Sequence, residues 1–271
     1  MKNFILGIIL ITIGNVIYAQ DFSGKAIYRT FTKVTVNPKL IKGMDSISRK
    51  KMEEKLSKRL QKTFTLNFSK SKSSYTQNKA LVTETKKDDN VKIIGALGTD
   101  MFFKNISEKS YANKKELFGK RFLIEDSLPI LPWEISHETK QIGNYTCYKA
   151  TKIEEKERLT FIMVDGNNEP HTEKVKIVTT AWYTPEIPVS NGPEHYWGLP
   201  GLILEINEGK KTILCTELVL NPSKKTALEA PKKGEKVSQK EFDEILKRKE
   251  KEIMERFKTN NKGGGINIQT E

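Results

Sequence analysis

The sequence predicts an α+β protein, mainly β, in which a curved and largely antiparallel sheet forms a half-barrel with one covering helix and a C-terminal helix. Short segments in which apolar and polar residues alternate recur along the chain, as is typical of strands with one buried face. Turn-forming residues separate these segments, and only two stretches show the spacing of an amphipathic helix. Together these three features favour a sheet over a helical bundle.

The clearest predicted strand carries Phe64, Leu66 and Phe68 at alternate positions, with polar residues between them. Further strands are predicted at Gly24 to Val36, Val91 to Leu97, Asp100 to Lys104, Lys114 to Ile124, Tyr145 to Ile153, Arg158 to Val164, Lys174 to Tyr183, Leu202 to Glu208 and Lys211 to Val219. Asp165-Gly166-Asn167-Asn168 and Asn207-Glu208-Gly209 each fall between two strands, which predicts hairpins and hence antiparallel pairing.

The first predicted helix runs from about Met44 to Leu60. Ile47, Met52, Leu56 and Leu60 form an apolar stripe along it, and we expect this stripe to lie on the sheet.

The second predicted helix begins at Ser238 and ends near Lys258. Ser238 and Glu241 have the spacing of a capping box, which marks a helix start. Its lysine-rich flanks suit a solvated outer face, and the alternative is a helix that binds a membrane surface or a partner.

The domain prediction follows from these elements. Residues 1–19 are a signal peptide, 20–237 a single strand-rich domain, 238–259 the amphipathic helix and 260–271 a flexible tail that contains three consecutive glycines.

The composition is that of a water-soluble globular chain, with 37% hydrophobic and 30% charged residues among 271. The net charge is +13, and 40 of the 47 basic residues are lysine. Sites that read nucleic acid use arginine more, because its planar guanidinium binds two acceptors at once. A solvated lysine surface is therefore expected rather than a nucleic-acid site, with weak attraction to anionic lipid as the alternative.

The first 19 residues have the pattern of a secretory signal. Lys2 precedes an apolar run from Phe4 to Ala19 that is short for a membrane span. We expect cleavage before Gln20 and residence of the mature protein in the periplasm or cell envelope, with no membrane-spanning segment left.

Export makes a disulfide between Cys147 and Cys215 possible, and two free buried thiols are the alternative. These cysteines and the scattered histidines lack the number and spacing of zinc ligands, so no metal is predicted. No cofactor motif is present either.

Motifs of serine hydrolases and of phosphate or dinucleotide binders are missing from the sequence. Glu194 and His195 are the candidates for general acid–base chemistry, which predicts a hydrolase as one option. A loop histidine beside a charged neighbour is the other interpretation.

The most specific part of the sequence lies between Trp182 and Ile206. Trp182-Tyr183-Thr184-Pro185-Glu186-Ile187-Pro188 is followed by Gly198-Leu199-Pro200-Gly201-Leu202-Ile203. These strings resemble the GLPGLI family of exported bacterial proteins, and Gly143-Asn144-Tyr145-Thr146-Cys147 is similar to that family's cysteine-bearing strand. The resemblance covers residues 133–220 and supplies no catalytic residue.

What the resemblance implies is an envelope protein whose sheet is similar to that of periplasmic lipoprotein carriers, an analogy of fold alone. The expected function is a non-catalytic binding or carrier module for a lipid-like or peptide ligand, with an apolar groove between the sheet and its helix. The alternative is an interaction partner of an envelope complex. The candidate contact residues for either are Trp182, Tyr183, Tyr196 and Trp197, and the glycines and prolines of the motif are expected to shape a sharp loop.

Overall fold

The structure, a computed structural model, describes residues 22–36, 43–78, 99–164, 167–224 and 226–259. The expected signal peptide, the strand predicted at Val91 to Leu97, residues Asp165 and Gly166 of one predicted turn, and the tail 260–271 lie outside these ranges.

Twelve strands and two helices make up the described chain. In order they are β1 (Ser23–Thr32), α1 (Ser46–Arg59), β2 (Lys62–Ser69), β3 (Lys72–Gln77), β4 (Thr99–Asn105), β5 (Ser110–Leu117), β6 (Lys120–Ser127), β7 (Glu134–Ile142), β8 (Tyr145–Val164), β9 (Asn167–Thr184), β10 (Leu202–Glu208), β11 (Lys211–Leu220), β12 (Glu235–Val237) and α2 (Gln239–Thr259).

All twelve strands belong to one open sheet, in the order β12-β6-β5-β4-β3-β2-β1-β11-β10-β9-β8-β7. Every pairing is antiparallel except that of β12 with β6. The predicted mainly β, largely antiparallel class is therefore confirmed. The hairpin predicted at Asn207-Glu208-Gly209 is also present, because Glu208 pairs with Lys211.

Some strand boundaries differ from the prediction. The single strand predicted from Lys114 to Ile124 is two strands, because Phe118 and Gly119 both adopt positive φ (51° and 79°) and reverse the chain. The strands predicted at Tyr145 to Ile153 and Arg158 to Val164 are one continuous strand.

Contacts across the molecule show that the sheet is strongly curved. Lys104 on β4 and Lys152 on β8 are seven steps apart in the strand order, which in a flat sheet would be about 34 Å. Yet the Lys104 ammonium lies 3.2 Å from the Tyr196 carbonyl oxygen, and the Lys152 ammonium lies 5.7 Å from the centroid of the Tyr196 ring. The sheet therefore wraps around Tyr196, and we call the enclosed side the concave face.

The two helices pack differently. On α2, the capping box is confirmed, since the Ser238 amide donates to Glu241 (2.7 Å) and the Glu241 amide donates to the Ser238 hydroxyl (3.2 Å). Phe242 of α2 is 1% exposed and meets Phe122 of β6 edge-on at 5.4 Å. The C-terminal helix thus covers part of the main core.

The first helix, α1, has a smaller core of its own. Leu56 packs with Val34 and Val36, which follow β1, while Ile47 is 67% exposed. The predicted stripe is thus only partly buried, and it packs on the extension of β1.

Candidate functional site

A long loop, residues 185–201 between β9 and β10, crosses the concave face; we call it the crossing loop. Ile187, Val189 and Leu199 are each at most 1% exposed and belong to the main core. The Leu202 amide donates to the Ile187 carbonyl (3.0 Å) and the Ile203 amide to the Asn191 carbonyl (2.9 Å). The crossing loop therefore fills much of the interior where the sequence predicts a ligand groove.

Two glycines of the Gly198–Ile203 motif are each required for a different structural reason. Gly198 has φ +95°, a conformation that side chains disfavour. A Cβ atom on Gly201 would stand 2.2 Å from the carbonyl oxygen of Thr184. The motif thus permits a sharp reversal and then a very close approach of β10 to the end of β9.

Indole groups fasten the loop to the segment before β7. The Trp133 Nε1–H donates to the carbonyl of Trp197 (2.8 Å), and the Trp197 Nε1–H donates to the carbonyl of Pro129 (2.9 Å). Each tryptophan therefore holds the backbone of the other's segment.

A buried lysine holds the middle of the loop. Lys104 is 0% exposed, and its ammonium donates to the carbonyls of Gly192 (2.6 Å), Glu194 (2.7 Å) and Tyr196 (3.2 Å). All three ammonium donors are thereby used. Burial lowers the pKa of Lys104 to about 7, an effect that the charge of Glu194 opposes.

Glu194 lies at the centre of this arrangement. Its φ is +48°, and its carboxylate accepts two hydrogen bonds from Lys211 of β11, at 2.7 and 2.9 Å. The left-handed backbone is tolerated because Lys104 and Lys211 fix the residue from both sides.

A second set of charged groups flanks His195. Lys152, which is 1% exposed, pairs with Glu154, and Lys156 pairs with Glu208 at 2.9 Å. Burial raises the pKa of Glu208, but the hydrogen bond and charge of Lys156 outweigh this and leave it below its usual value. Both charges act on the pKa of the His195 imidazole: that of Lys152 lowers it and that of Glu208 raises it.

Burial lowers the pKa of His195 from 6.5 to about 4, although the charge of Glu194 opposes this shift. The imidazole is therefore neutral at pH 7. Such an imidazole is a weak base, and the Glu194 carboxylate is engaged by Lys211. The predicted acid–base role of Glu194 and His195 stays a prediction.

We expect the stability of the protein to fall as the pH is lowered from 6.5 towards 4. In this window the unfolded chain binds a proton at His195 that the folded protein does not, and the full contribution is present above pH 6.5. The shift corresponds to at most about 3 kcal/mol, and solvent screening of the partly exposed ring reduces it. Urea unfolding at pH 5 and 7 should show a smaller difference for His195→Gln than for the wild type. His137→Gln, at an exposed position of β7, should keep the wild-type difference. An equal difference between pH 5 and pH 7 in all three proteins would show that His195 is not the source of the effect.

The four predicted contact residues are mostly packed. Tyr183 and Tyr196 are 5% and 0% exposed, and Trp182 and Trp197 are partly buried against the core. The Lys140 ammonium lies 4.4 Å from the centre of the Trp182 ring. Their role as ligand or partner contacts stays a prediction.

The two cysteines are free thiols, so the possible disulfide is not formed in this structure. Cys147 lies on β8 and Cys215 on β11, with β9 and β10 between them. The two cysteines thus lie on strands that are not neighbours in the sheet. Burial raises the pKa of Cys147 to about 11 and that of Cys215 to about 12.

Sequence reasoning missed the buried lysines. A signal existed for Lys104, because it follows Phe102 by two positions in a predicted strand and so shares its inward face. Lysine is almost never fully buried without a partner, which marks such a position as unusual. The partner carbonyls lie about 90 residues away and could not be found from the pattern.

The crossing loop lies within a segment that matches a known protein-family model. A family model described as "Protein of unknown function (Porph_ging)" matches residues 133–205. This segment contains β7 to β9 and the crossing loop. No curated protein matches the chain at a significant level.

Among solved structures, the chain is similar to two crystal structures of PNGF-II, in the C2 and P21 space groups. The TM-scores are 0.49 and 0.48, each at 12% identity, and the matches cover 84% and 83% of this chain. In both cases they cover 33% of the PNGF-II chain, so this chain spans about one third of that protein's length.

Within the described ranges, no cluster of three or more His, Cys, Asp or Glu side chains could hold a metal ion. No helix in the same part of the chain is long and apolar enough to cross a membrane.

Proposed function

We propose that the protein is an exported envelope protein of the GLPGLI family that binds the acyl chain of an anionic amphiphile. The export signal predicted at residues 1–19 and the Gly198–Ile203 motif support the address and the family. The observation that carries the binding role is a cavity at one end of the sheet, beside the start of β1 and the β2–β3 turn.

The cavity has a volume of about 240 Å³. Its apolar walls include Phe22, Phe68, Pro222 and Leu228, and the two phenylalanine rings lie 6.3 Å apart. Gly24 makes this arrangement possible, because a Cβ atom there would stand 2.2 Å from the Phe68 ring. The strand glycine therefore lets the Phe68 ring pack directly against the backbone of β1 at the wall of the cavity.

The charges around the cavity have one sign. Lys25, Lys72 and Lys224 line it, and no acidic side chain is among the described residues that do so. An apolar interior beside three ammonium groups fits a hydrocarbon chain with an anionic head. The volume is below the roughly 300–1,000 Å³ of drug-sized ligand sites, which favours a single chain over a diacyl lipid.

We expect affinity for saturated fatty acids to rise with chain length. Each methylene that enters the cavity should strengthen binding about fourfold, the equivalent of about 0.8 kcal/mol, until the cavity is full. Isothermal titration calorimetry of the delipidated mature protein with hexanoate to tetradecanoate would measure this series. Mass spectrometry of a solvent extract of the protein as purified would identify the natural ligand.

A control distinguishes the contribution of the anionic head group to binding from that of the acyl chain. Simultaneous change of Lys25, Lys72 and Lys224 to methionine should weaken fatty-acid binding at least about tenfold and leave binding of the matching alcohol in place. The same triple change at exposed Lys232, Lys233 and Lys236 should alter neither. Affinity that does not depend on chain length, or no binding at all, would overturn the proposal.

A further inference from the structure

Three lysines line the cavity described above, and each comes from a different part of the chain. Lys25 lies on β1, Lys72 begins β3 after the β2–β3 turn, and Lys224 lies in the segment that follows β11. Lys25 and Lys72 are half-buried, and Lys224 is exposed. None of the three forms an ion pair with a side chain that the structure describes. Three positive charges are therefore brought to one cavity without a described carboxylate to offset them.

Backbone contacts hold the segment that carries Lys224 beside the cavity. The Asn221 amide donates to the Ser23 carbonyl (2.7 Å), and the Asn221 side-chain oxygen accepts from the Ser23 amide (3.2 Å), so the start of the segment is tied to β1. Further along, Leu228 packs into a small apolar cluster that includes Phe103. The segment is thus attached at two points, and Lys224 lies between them.

An amide side chain accompanies the lysines. Asn67 of β2 also lines the cavity, and it is paired directly with Lys25 of β1. Such a pair has its Cβ atoms about 5 Å apart on one face of the sheet. The Asn67 side chain forms no hydrogen bond with a residue that the structure describes. The cavity therefore offers a neutral N–H donor in addition to three ammonium groups.

This set of donors fits a head group with two negative charges better than one with a single charge. A carboxylate has one charge and two oxygens, whereas a phosphate monoester carries about −1.5 to −2 charges at pH 7 on three acceptor oxygens. Lysine binds phosphate as a point charge, without the planar geometry that suits arginine to carboxylates. A monoanion would leave most of the positive charge at the cavity unbalanced.

We propose that the head group bound at this cavity is a phosphate monoester, carried on a single hydrocarbon chain. The chain lies against the apolar walls that Phe22 and Phe68 provide, and the phosphate lies among Lys25, Lys72 and Lys224. This inference rests on the acyl-chain cavity proposed above and specifies the head group of its ligand.

Octyl phosphate is the probe, with octyl sulfate and octanoate as matched compounds. Octyl sulfate has the same chain and the same three terminal oxygens but a single charge. At pH 8, isothermal titration calorimetry should show octyl phosphate binding at least about tenfold more tightly than either compound, because a second charge faces the lysines. Inorganic phosphate should bind at least about a hundredfold more weakly than octyl phosphate, because it buries no methylene groups.

The pH dependence tests the same point independently. Affinity for octyl phosphate should rise between pH 5.5 and pH 8, because a phosphate monoester loses its second proton near about pH 6. Affinity for octyl sulfate should stay constant over this range. The charged groups that face the head group are the three lysines, and no acidic side chain is among the described residues that line the cavity.

The simultaneous change of Lys25, Lys72 and Lys224 to methionine should abolish the preference for phosphate over sulfate, and the exposed triple-lysine control described above should keep it. Urea unfolding midpoints check the fold of both variants. Equal affinity of the wild type for octyl phosphate and octyl sulfate at pH 8, or binding of inorganic phosphate as tight as that of octyl phosphate, would overturn the phosphate head group and leave the fatty-acid series to decide the cavity. No binding of any of the three amphiphiles would overturn both proposals.

Discussion

Gly201→Ala should destabilise the protein by about 3 kcal/mol or more. The added methyl group would stand 2.2 Å from the Thr184 carbonyl oxygen and 2.6 Å from its carbon. These are backbone atoms at the junction of β9 and β10, so no side-chain rotation relieves the overlap. Urea unfolding followed by circular dichroism would measure the loss, and failure of the variant to fold at all would be the extreme form of it.

Gly119→Ala is the matched control. Gly119 also carries a special backbone angle (φ +79°), but nothing lies within 4 Å of its missing Cβ atom. Its substitution should cost about 1–2 kcal/mol, the left-handed backbone penalty alone. If Gly201→Ala were no worse than Gly119→Ala, the close approach of β10 to β9 would be wrong.

Lys104→Met should destabilise the protein by about 3 kcal/mol and loosen the crossing loop. Methionine replaces the aliphatic part of the lysine side chain but has no ammonium group to donate to the three carbonyls at 2.6, 2.7 and 3.2 Å. Each buried carbonyl left unpaired costs about 1–3 kcal/mol, and relief from burying an ammonium group offsets part of this.

The measurement combines stability with the environment of the loop. Urea unfolding gives the free energy, and a red shift of tryptophan emission would report greater exposure of the tryptophans, two of which, Trp133 and Trp197, fasten the loop. Lys233→Met, at an exposed position, should change the free energy of unfolding by less than about 0.5 kcal/mol. A Lys104→Met protein of wild-type stability and emission would show that these hydrogen bonds do not hold the loop.

The motif that resembles the GLPGLI family acquires a physical meaning here. Gly198 and Gly201 allow the chain to turn and approach β9, and the apolar Leu202 and Ile203 are fully buried. Pro200 is exposed between them. The motif therefore shapes the route by which the crossing loop enters the core, and the proposed ligand site uses other residues.

Alternation predicted well those strands that have one buried and one polar face. The strand predicted from Phe64, Leu66 and Phe68 is β2, and all three side chains are buried. Strand β3 was missed because Ser73 and Ser74 are buried without being apolar. The edge strand β7 was missed because it is largely exposed and has no apolar face to repeat.

Local sequence determined the class of fold, the hairpin at Asn207-Glu208-Gly209 and the start of the C-terminal helix, because each depends on residues a few positions apart. Tertiary structure alone decided which polar groups meet on the concave face. Lys104 reaches its carbonyls across 88 to 92 residues of chain, and the curvature of a twelve-stranded sheet brings β4, β8 and the crossing loop together. Contacts of that range depend on the curvature of the whole sheet, so no local pattern encodes them.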